Sequence, residues 1–316
     1  MPKSDYSTTR SLVHERPACF DSFQNGLETL LKLPDQGQKT VEGGLRLQGL
    51  FKVDSIDKPL LSVVTVVYNG VAFLEDTIKS VLGQIYDNVE YIIIDGGSND
   101  GTLDIIKKYE HAIDYWVSEP DKGMYDALVK GFSCVSGSIM SYLNAGDLYV
   151  ATALGAVALI FKEQDCEWVT GMMSTCNEAN QVIHVSIPFR YKADFIKKGV
   201  YGKYLPYIQQ ESTFWRKDLL CSLDMEFFKS LRYAGDCYIW FCFAMLAELK
   251  IAQVQLGIFK IHEGQLSENQ DKYRLEVKSF AKKLNPLDFL KILFESFPWL
   301  LSDKSRKFFN PSRLCL

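Results

Sequence analysis

Acidic side chains stand beside glycine or proline at four points in the first half of the chain. They are Asp95 in IIIDGGSNDGT, Glu119 and Asp121 in SEPDKGMYD, and Asp147 in YLNAGDLYV. Aspartate in such turns often caps a helix or shapes the turn itself. A carboxylate that reaches a ligand can instead bind a divalent cation or accept hydrogen bonds from a base or a ribose. The choice between these roles depends on whether the fold brings the four acids to one place.

The segments around these acids alternate between strands and helices. Apolar runs rich in Val and Ile predict strands at 61–69, 89–96, 114–119 and 138–144. Apolar residues at helical spacing predict helices at 75–84, 102–113, 124–135 and 152–164. This alternation is typical of an α/β fold with a mostly parallel sheet and helices on both faces. We therefore expect a single large α/β domain.

Each of the four acids falls at the carboxyl end of a predicted strand, which is the edge where parallel sheets bind ligands. This placement favours a ligand role over a turn-shaping role for Asp95 and Asp147. Two common phosphate-binding patterns are missing. The first strand-to-helix turn, YNGVAFLED, lacks the GxGxxG of dinucleotide enzymes, and the chain contains no P-loop sequence. The glycines of DGGSNDG would instead place the Asp95 carboxylate at a ligand.

Composition narrows the class of protein further. The chain has 316 residues, 47% of them hydrophobic, and a formal net charge of −4, without a basic stripe that would favour nucleic acid. The eight cysteines show no CxxC or zinc spacing, which is typical of reduced thiols in the cytoplasm. The N-terminus lacks the apolar core of a signal peptide, and no run approaches the roughly 20 apolar residues that span a bilayer. We expect a soluble cytoplasmic protein.

The rest of the chain departs from the alternation. We expect two strands around a polar turn in 167–187, a helix over 233–249 and a strand within 253–267. Residues 1–58 form an N-terminal extension that we interpret as a cover or partner-contact segment, with a short helix over 20–33.

The tail, 281–316, carries seven Lys and Arg against three Asp and Glu and contains FLKILFESFPWLL. This mixture suits an amphipathic helix in a membrane interface, particularly over 284–316. It suits a helix packed on the domain equally well.

Four ordered motifs together resemble the nucleotide-sugar half of family-2 glycosyltransferases of the GT-A fold, with the likeness covering about 60–265. They are TVVYNG (65–70), IIIDGGSNDGT (92–102), SEPDKGMYDALVKG (118–131) and YLNAGDLYV (142–150). The resemblance divides the chain into a nucleotide-sugar-binding half, 59–165, and an acceptor-binding half, 166–280. It implies that Asp95 contacts the nucleobase. By the same resemblance the nucleotide-sugar site would include the following residues: Thr65, Tyr68, Asn69, Asp121, Lys122, Gly123, Asn144 and Lys260.

The family's Asp-x-Asp motif holds a divalent ion, Mn²⁺ or Mg²⁺, against the diphosphate, and its last acid matches Asp147. Here Ala145 stands in place of the first acid, which leaves Asn144 and Asp147 as oxygen donors. One carboxylate can suffice for Mg²⁺ when substrate phosphates complete the shell. Family members often add a late histidine, and His262, which follows Lys260 in FKIHEGQLS, matches that place as a metal or phosphate ligand.

The family's catalytic base is an acid at the start of a helix in the second half, which matches Asp236 in YAGDCYIW. An N-cap aspartate is the alternative interpretation. One base and one metal allow a single displacement, whereas retention would need a second carboxylate as nucleophile. Supporting roles remain open for the following residues: Gln209, Gln210 and Glu211 beside the site, Phe214 and Trp215 as a sugar platform or as core, and Arg190 and Arg216 as phosphate or acceptor contacts.

The expected protein is an inverting, metal-dependent glycosyltransferase that moves a sugar from a nucleoside diphosphate to a glycan or lipid-linked glycan acceptor. The resemblance implies polysaccharide biosynthesis, at the inner face of the membrane if the tail lies in the lipid. No QxxRW sequence is present, so a processive synthase is not expected. Two alternatives stay open: a sugar-nucleotide nucleotidyltransferase, which would want a glycine-rich basic loop early in the chain, and a non-catalytic nucleotide-sugar-binding protein, which would have no need of Asp236.

Overall fold

The structure is a computed structural model that describes residues 6–21, 23–24, 27–35, 37, 41–301 and 313–314. Its strands, in chain order, are β1 Phe23–Gln24, β2 Leu27–Glu28, β3 Val41–Gly43, β4 Leu61–Val67, β5 Val89–Asp95, β6 Tyr115–Ser118, β7 Ile139–Asn144, β8 Leu148–Tyr149, β9 Trp168–Thr170, β10 Met173–Cys176, β11 Val182–Ser186, β12 Thr213–Arg216, β13 Lys250–Ala252, β14 Gly257–Lys260 and β15 Arg313–Leu314.

The α-helices follow the predicted alternation closely in the first half of the chain. They are α1 Leu74–Leu82, α2 Thr102–Tyr109, α3 Met124–Ser133, α4 Ala153–Glu163, α5 Ala193–Lys197, α6 Met225–Ser230, α7 Gly235–Leu246, α8 Gln270–Phe280 and α9 Pro286–Leu300. The four predicted strands and four predicted helices between residues 61 and 164 are all confirmed, with ends that differ by no more than four residues.

One large sheet runs through the molecule. In the described residues it has the strand order β15-β13-β9-β12-β7-β4-β5-β6-β3. Its centre is parallel, because β4 pairs in parallel with both β5 and β7, whereas β12 and β3 run antiparallel to their neighbours. A smaller sheet, β11-β10-β14-β8, lies beside it. The predicted mostly parallel α/β fold is confirmed, with three strands of the second half, β9, β12 and β13, continuing the same sheet.

The core lies on both faces of this sheet. Val63 and Val64 in β4 are fully buried and point to opposite sides, as successive residues in a strand must. Val64 packs in a cluster with Leu128 of α3 and Ile239 of α7, whereas Val63 packs in a cluster with the helices α1, α2 and α4. Helices therefore cover both faces, and the strand ends between them are left to bind ligands.

The N-terminal extension is built into the domain. Its strand β3 extends the large sheet, pairing antiparallel with β6. Two buried ion pairs, Arg46–Glu90 and Lys52–Asp114, join it to the sheet. The expected helix over 20–33 is wrong where the structure describes that stretch, because β1 and β2 pair there as a hairpin. The residues between these two strands are Asn-Gly, a pair that favours tight hairpin turns over helix.

Helix α9 packs one face on the domain and leaves the other exposed. Trp299 contacts the rings of Phe189 and Tyr191, and the buried Asp288 accepts a hydrogen bond from Lys198 at 2.8 Å. This packing fits the interpretation of the tail as a helix on the domain, and the opposite face of α9 stays exposed. None of the helices in the described ranges is long and apolar enough to cross a membrane.

Candidate active site

Three adjacent strands end at the same level of the sheet. The register pairs Val67 of β4 with Asp95 of β5, and Val66 of β4 with Asn144 of β7. Asp95 also lies opposite Ser118, the last residue of β6. The structure therefore brings the loops that carry the predicted acids to one edge, as parallel pairing requires.

Asp95 is fully buried at this edge. Its carboxylate accepts hydrogen bonds from the Ser118 hydroxyl at 2.6 Å and from the Ser98 backbone N–H at 3.1 Å. The loop after β4 is fastened to the same place, because the Asn69 N–H donates to the Ser98 hydroxyl and Asn69 has a positive φ of 50°. Tyr68 next to it is 65% exposed, so its ring is available to a ligand.

Thr65 requires a correction. It lies two residues before the end of β4, is wholly buried, and its hydroxyl accepts a hydrogen bond from the Tyr91 hydroxyl at 3.1 Å. The side chain points into the core beneath the helices, since alternation along the strand fixes its direction. Thr65 is a core residue and does not line a ligand pocket.

The loop after β6 places Asp121 against the Asp95 loop. A Cβ on Gly96 would lie 2.4 Å from Asp121 Oδ2, so any other residue there would displace the Asp121 carboxylate. Asp121 Oδ1 accepts the Gly123 N–H at 2.8 Å, and burial raises the pKa of the Asp121 carboxyl. Gly123, with φ +129°, is the N-cap of α3. Lys122 is exposed at the same turn.

The NAGD turn is fixed from below by α1. Thr77 of α1 donates its hydroxyl to the Asp147 carbonyl at 2.9 Å and accepts the Gly146 N–H at 2.8 Å. The Asp147 side chain is 4% exposed and accepts the Lys260 backbone N–H at 3.2 Å. Burial raises the pKa of Asp147 to about 7, even though the Lys260 N–H, Asn144 and the Lys260 charge favour its ionised form.

A second buried acid faces this turn, and sequence reasoning gave it only a vague supporting role. Glu211 lies in a single 3₁₀ turn, Gln210–Ser212, and is 3% exposed. Burial raises its pKa well above the usual value, and the charges of Asp147 and Asp236 raise it further. Its Oε1 and the Oδ1 of Asn144 are buried without a hydrogen-bond partner in the structure. Buried oxygens of this kind are expected to have a ligand, an ion or water as partner.

Lys260 and His262 meet the NAGD turn through Phe73. The buried Lys260 ammonium lies 3.1 Å from Asp76 Oδ2 and 5.8 Å from the centre of the Phe73 ring. The His262 ring stacks on the Phe73 ring, with ring centres 4.3 Å apart. His262 Nδ1 lies 2.9 Å from the Glu263 carbonyl, which leaves Nε2 for another partner.

Oxygen donors at this turn suit a hard divalent cation only in part. Asp147, Asn144 and Glu211 offer oxygens of the type that Mg²⁺ and Mn²⁺ prefer, and two of these oxygens are unpartnered. No group of three or more His, Cys, Asp and Glu side chains within the described ranges is arranged to hold a metal ion. The donor set therefore fits an ion that takes most of its ligands from a bound diphosphate.

Asp236 is the second residue of α7, and Ala234 is the N-cap of that helix. The N-cap interpretation of Asp236 is therefore wrong. Its Oδ1 is buried without a partner. Burial raises the pKa of Asp236 to about 6, against the effect of the Cys237 and Asp236 backbone N–H groups. The residue faces a narrow cavity whose aromatic lining is Tyr201, Tyr207, Trp240 and Tyr273.

The motif SEPDKGMYDALVKG (118–131) contacts the start of helix α7 directly. Tyr125, in the first turn of α3, packs its ring on Gly235 so closely that a Cβ there would lie 2.4 Å from the ring. Glu211 is influenced by the charges of both Asp147 and Asp236, so it lies near both predicted functional acids. The edge loops and the start of α7 thus lie close together.

The positions of three other candidate residues place them outside the site. Phe214 and Trp215 are fully buried in β12, so they are core residues and no platform for a sugar. Arg216 pairs with Ile139 at the start of β7, at the opposite edge of the sheet, and donates to the carbonyl of Phe161. That position excludes Arg216 from the site.

The sheet order and the structural neighbours show the GT-A fold. S. aureus TarS 1–349, in complex with UDP-GlcNAc, matches with a TM-score of 0.52 and 13% sequence identity, over 78% of this chain and 69% of that one. The family model "Glycosyl transferase family 2" matches residues 62–221, half of the chain. The chain belongs to glycosyl transferase family 2, which confirms the predicted family.

Two relatives show how the likeness is distributed. An uncharacterized glycosyltransferase of Mycobacterium tuberculosis is 39% identical over 92 residues, which is 29% of this chain and 35% of that protein. TuaG of Bacillus subtilis, a glycosyltransferase assigned to teichuronic acid biosynthesis, is 31% identical over 163 residues, 49% of this chain and 64% of TuaG. The chain thus matches about a third of the first relative's length and less than two thirds of TuaG.

Proposed function

We propose that this glycosyltransferase moves a sugar from a nucleoside diphosphate sugar to a glycan or lipid-linked glycan acceptor, with inversion, in polysaccharide biosynthesis. The observation that carries the proposal is the Asp236 carboxylate. It is buried and unpartnered at Oδ1, it lines a cavity, and its charge acts on Glu211, which the charge of Asp147 also reaches. A nucleotide-binding protein without catalysis has no use for this third acid.

Donor binding is assigned to the strand edge. Asp95 would contact the base, and Tyr68, Asn69, Asp121, Lys122 and Gly123 would surround the nucleoside and the sugar. Asp147, with Asn144 and Glu211 beside it, would hold Mn²⁺ or Mg²⁺, and Lys260 and His262 would face the phosphates. When bound, the cation neutralises charge on the departing diphosphate. Each of these assignments rests on position at the edge and on the polar atoms that the residue presents there.

Asp236 would act as general base on the acceptor hydroxyl. Its pKa near 6 leaves it deprotonated at neutral pH yet basic enough to take a proton. A retaining double displacement needs a carboxylate nucleophile on the opposite face of the sugar. Asp147 and Glu211 belong to the diphosphate end in this assignment, so inversion by a single displacement is the mechanism we propose.

The test is a donor panel with the full chain. UDP-GlcNAc, other UDP-sugars and GDP-sugars are incubated with and without Mn²⁺, and release of the nucleoside diphosphate is followed, first by slow hydrolysis and then with glycan acceptors. We expect release from one class of donor, increased by Mn²⁺ and by an acceptor. Release of pyrophosphate from a nucleoside triphosphate and a sugar phosphate would instead identify a nucleotidyltransferase. Absence of any release with bound donor would identify a binding protein.

A peripheral membrane contact at the cytoplasmic face is also proposed, through the free face of α9. Six large apolar side chains there are between 55% and 83% exposed: Leu287, Leu290, Leu293, Phe294, Phe297 and Leu300. The exposed Lys282, Lys283 and Lys291 lie along and before the same helix. An apolar stripe with lysines beside it suits an anionic lipid surface better than another protein.

The lipid contact predicts a loss of vesicle binding in the Phe294→Ser/Phe297→Ser double variant. We expect at least about a tenfold weaker partition into vesicles containing phosphatidylglycerol, since two exposed rings no longer insert. Co-sedimentation measures the partition, and Ile56→Ser/Ile85→Ser, at 89% and 66% exposed positions elsewhere, is the matched control. Equal vesicle binding by both variants contradicts the proposal. A wild-type protein that forms dimers and does not bind vesicles also contradicts it, because this face would then be an interface between copies.

A further inference from the structure

Glu276 of α8 makes an unusual set of contacts with the segment that leads into α7. Its Oε1 accepts the Arg232 N–H at 2.9 Å, and its Oε2 accepts the N–H groups of Tyr233 at 2.7 Å and Ala234 at 2.9 Å. These three residues directly precede Gly235 and Asp236. One carboxylate thus holds three consecutive backbone groups immediately before the proposed base.

These contacts satisfy backbone groups at the N-cap of α7 and just before it. The N-cap is Ala234, whose N–H is one of those that the helix itself leaves without an acceptor, and Arg232 and Tyr233 precede it. Glu276 supplies that acceptor across the tertiary structure. Its negative charge also lies at the positive end of the α7 dipole, where it is favourable.

Helix α8 holds Glu276 firmly in this place. Val277, the next residue, packs with Ala234 and Cys237 of the α7 start in one small buried cluster. A Cβ on Gly199 would lie 2.4 Å from Val277, which shows how closely the α8 helix approaches the neighbouring loop. On the opposite side, the Tyr125 ring packs on Gly235. The start of α7 is therefore clamped between α8 and α3, with Glu276 as the polar part of the clamp.

We propose that Glu276 is a positioning residue for Asp236: it fixes the backbone from which the Asp236 carboxylate reaches the acceptor. The proposal rests on the proposed role of Asp236 as general base. A displacement of about 1 Å at a reacting group can cost about a hundredfold in rate, so a clamp at this point matters for catalysis. Glu276 itself touches no substrate in this assignment.

The charge of Glu276 has a separate effect on Asp236. A negative charge nearby disfavours ionisation, so Glu276 contributes to the raised pKa of Asp236, after the larger effect of burial. Other titratable groups that act on or respond to Asp236 from the elements packed around it are Tyr125 of α3, Tyr142 of β7, Tyr207, Glu211, Cys237 of α7 and Tyr273 of α8. Substituting Glu276 leaves all six of these in place.

The test compares Glu276→Gln with wild type and with Asp271→Asn. Asp271 lies on the same helix with a side chain 98% exposed, so its variant removes the same charge without touching the clamp. Glu276→Gln keeps the shape of the side chain, but an amide NH₂ replaces one acceptor oxygen. That NH₂ group would face a backbone N–H donor, from which it cannot accept a hydrogen bond. We expect kcat to fall about ten- to a hundredfold with the donor KM nearly unchanged. We also expect the acid limb of the kcat/KM profile to move to lower pH, by about half a unit.

A readout that needs no turnover separates this inference from the proposed function. The Asp236 carboxyl is titrated by ¹³C NMR, assigned by its loss in Asp236→Asn, and its pKa is expected to fall in Glu276→Gln but not in Asp271→Asn. If Asp236→Asn transfers sugar as fast as wild type, the base assignment fails, and the inference fails with it. If Asp236→Asn is inactive while Glu276→Gln keeps wild-type kcat and an unshifted Asp236 pKa, only the role of Glu276 is overturned. Glu276→Asp, which keeps the charge and shortens the reach, is expected to lower kcat without moving the acid limb.

Discussion

Asp236→Asn is expected to lower the rate of sugar transfer by about 10²–10⁴-fold, the usual contribution of a general base. Asparagine keeps the shape of the side chain and its hydrogen bonds to the start of α7, but it cannot take the proton of an acceptor hydroxyl. Donor affinity is expected to stay within about twofold, because the predicted donor residues lie on the strand-end loops rather than on α7. The measurement is kcat with the active donor and acceptor, together with the donor Kd by calorimetry.

The pH profile of the wild type sharpens this prediction. Asp236 must be ionised to act, and burial raises its pKa to about 6. At saturating Mn²⁺ and donor, which hold Asp147 ionised, activity should therefore be nearly full above pH 7 and should fall as the pH drops through about 6, rather than near 4 as for an exposed aspartate. The residual rate of Asp236→Asn should lack this limb. Asp271→Asn, the same change at a surface position, is expected to keep the wild-type rate and profile. An Asp236→Asn enzyme with the wild-type limb would contradict the assignment.

The sheet and its helices were predictable because their signals are local. Runs such as 91–94, Tyr-Ile-Ile-Ile, are apolar and mostly β-branched, which favours buried strands, and the helices between them show one apolar face. The placement of Asp95, Asp121 and Asp147 at one edge then follows from parallel pairing. The family assignment needed only the order of these motifs.

Side-chain direction and long-range partners were not predictable in this way. Thr65 belongs to a recognisable motif, but alternation along β4 turns its hydroxyl toward Tyr91 in the core. Arg216 and Glu211 are five residues apart, yet β12 carries the arginine to the far edge of the sheet while the 3₁₀ turn before it keeps the glutamate in the site. Nothing in the spacing of the sequence distinguishes these outcomes. Tertiary pairing alone decides them.

The contacts of Glu276 were also not predictable from the sequence. It lies in a polar helix beyond the matched residues 62–221, and its partners are backbone N–H groups, which leave no trace in side-chain patterns. A sequence can place Asp236 near the start of a helix. It cannot show that the helix start lacks a capping side chain of its own and takes its acceptor from a segment some forty residues later.

Asp147→Asn is expected to remove the Mn²⁺-dependent part of nucleotide binding. Asparagine still accepts the Lys260 N–H, so the NAGD turn should keep its shape, but a neutral amide oxygen is a much weaker ligand for a divalent cation than a carboxylate. We expect the Kd of the nucleoside diphosphate in Mn²⁺ to rise at least about tenfold, toward the value that the wild type shows in EDTA. Calorimetric titrations of both proteins, with Mn²⁺ and with EDTA, measure this directly.

The EDTA titrations also separate a lost ligand from a damaged fold. In EDTA the two proteins are expected to bind the nucleotide equally, because Asp95 and the loops around it are unchanged. The melting temperature should not fall, since the substitution removes a buried charge, and Lys260, whose charge acts on Asp147, is itself paired with Asp76. An Asp147→Asn protein with the wild-type Mn²⁺ dependence would show that the cation is held elsewhere. Glu211, with its unpartnered Oε1, would then become the carboxylate to test.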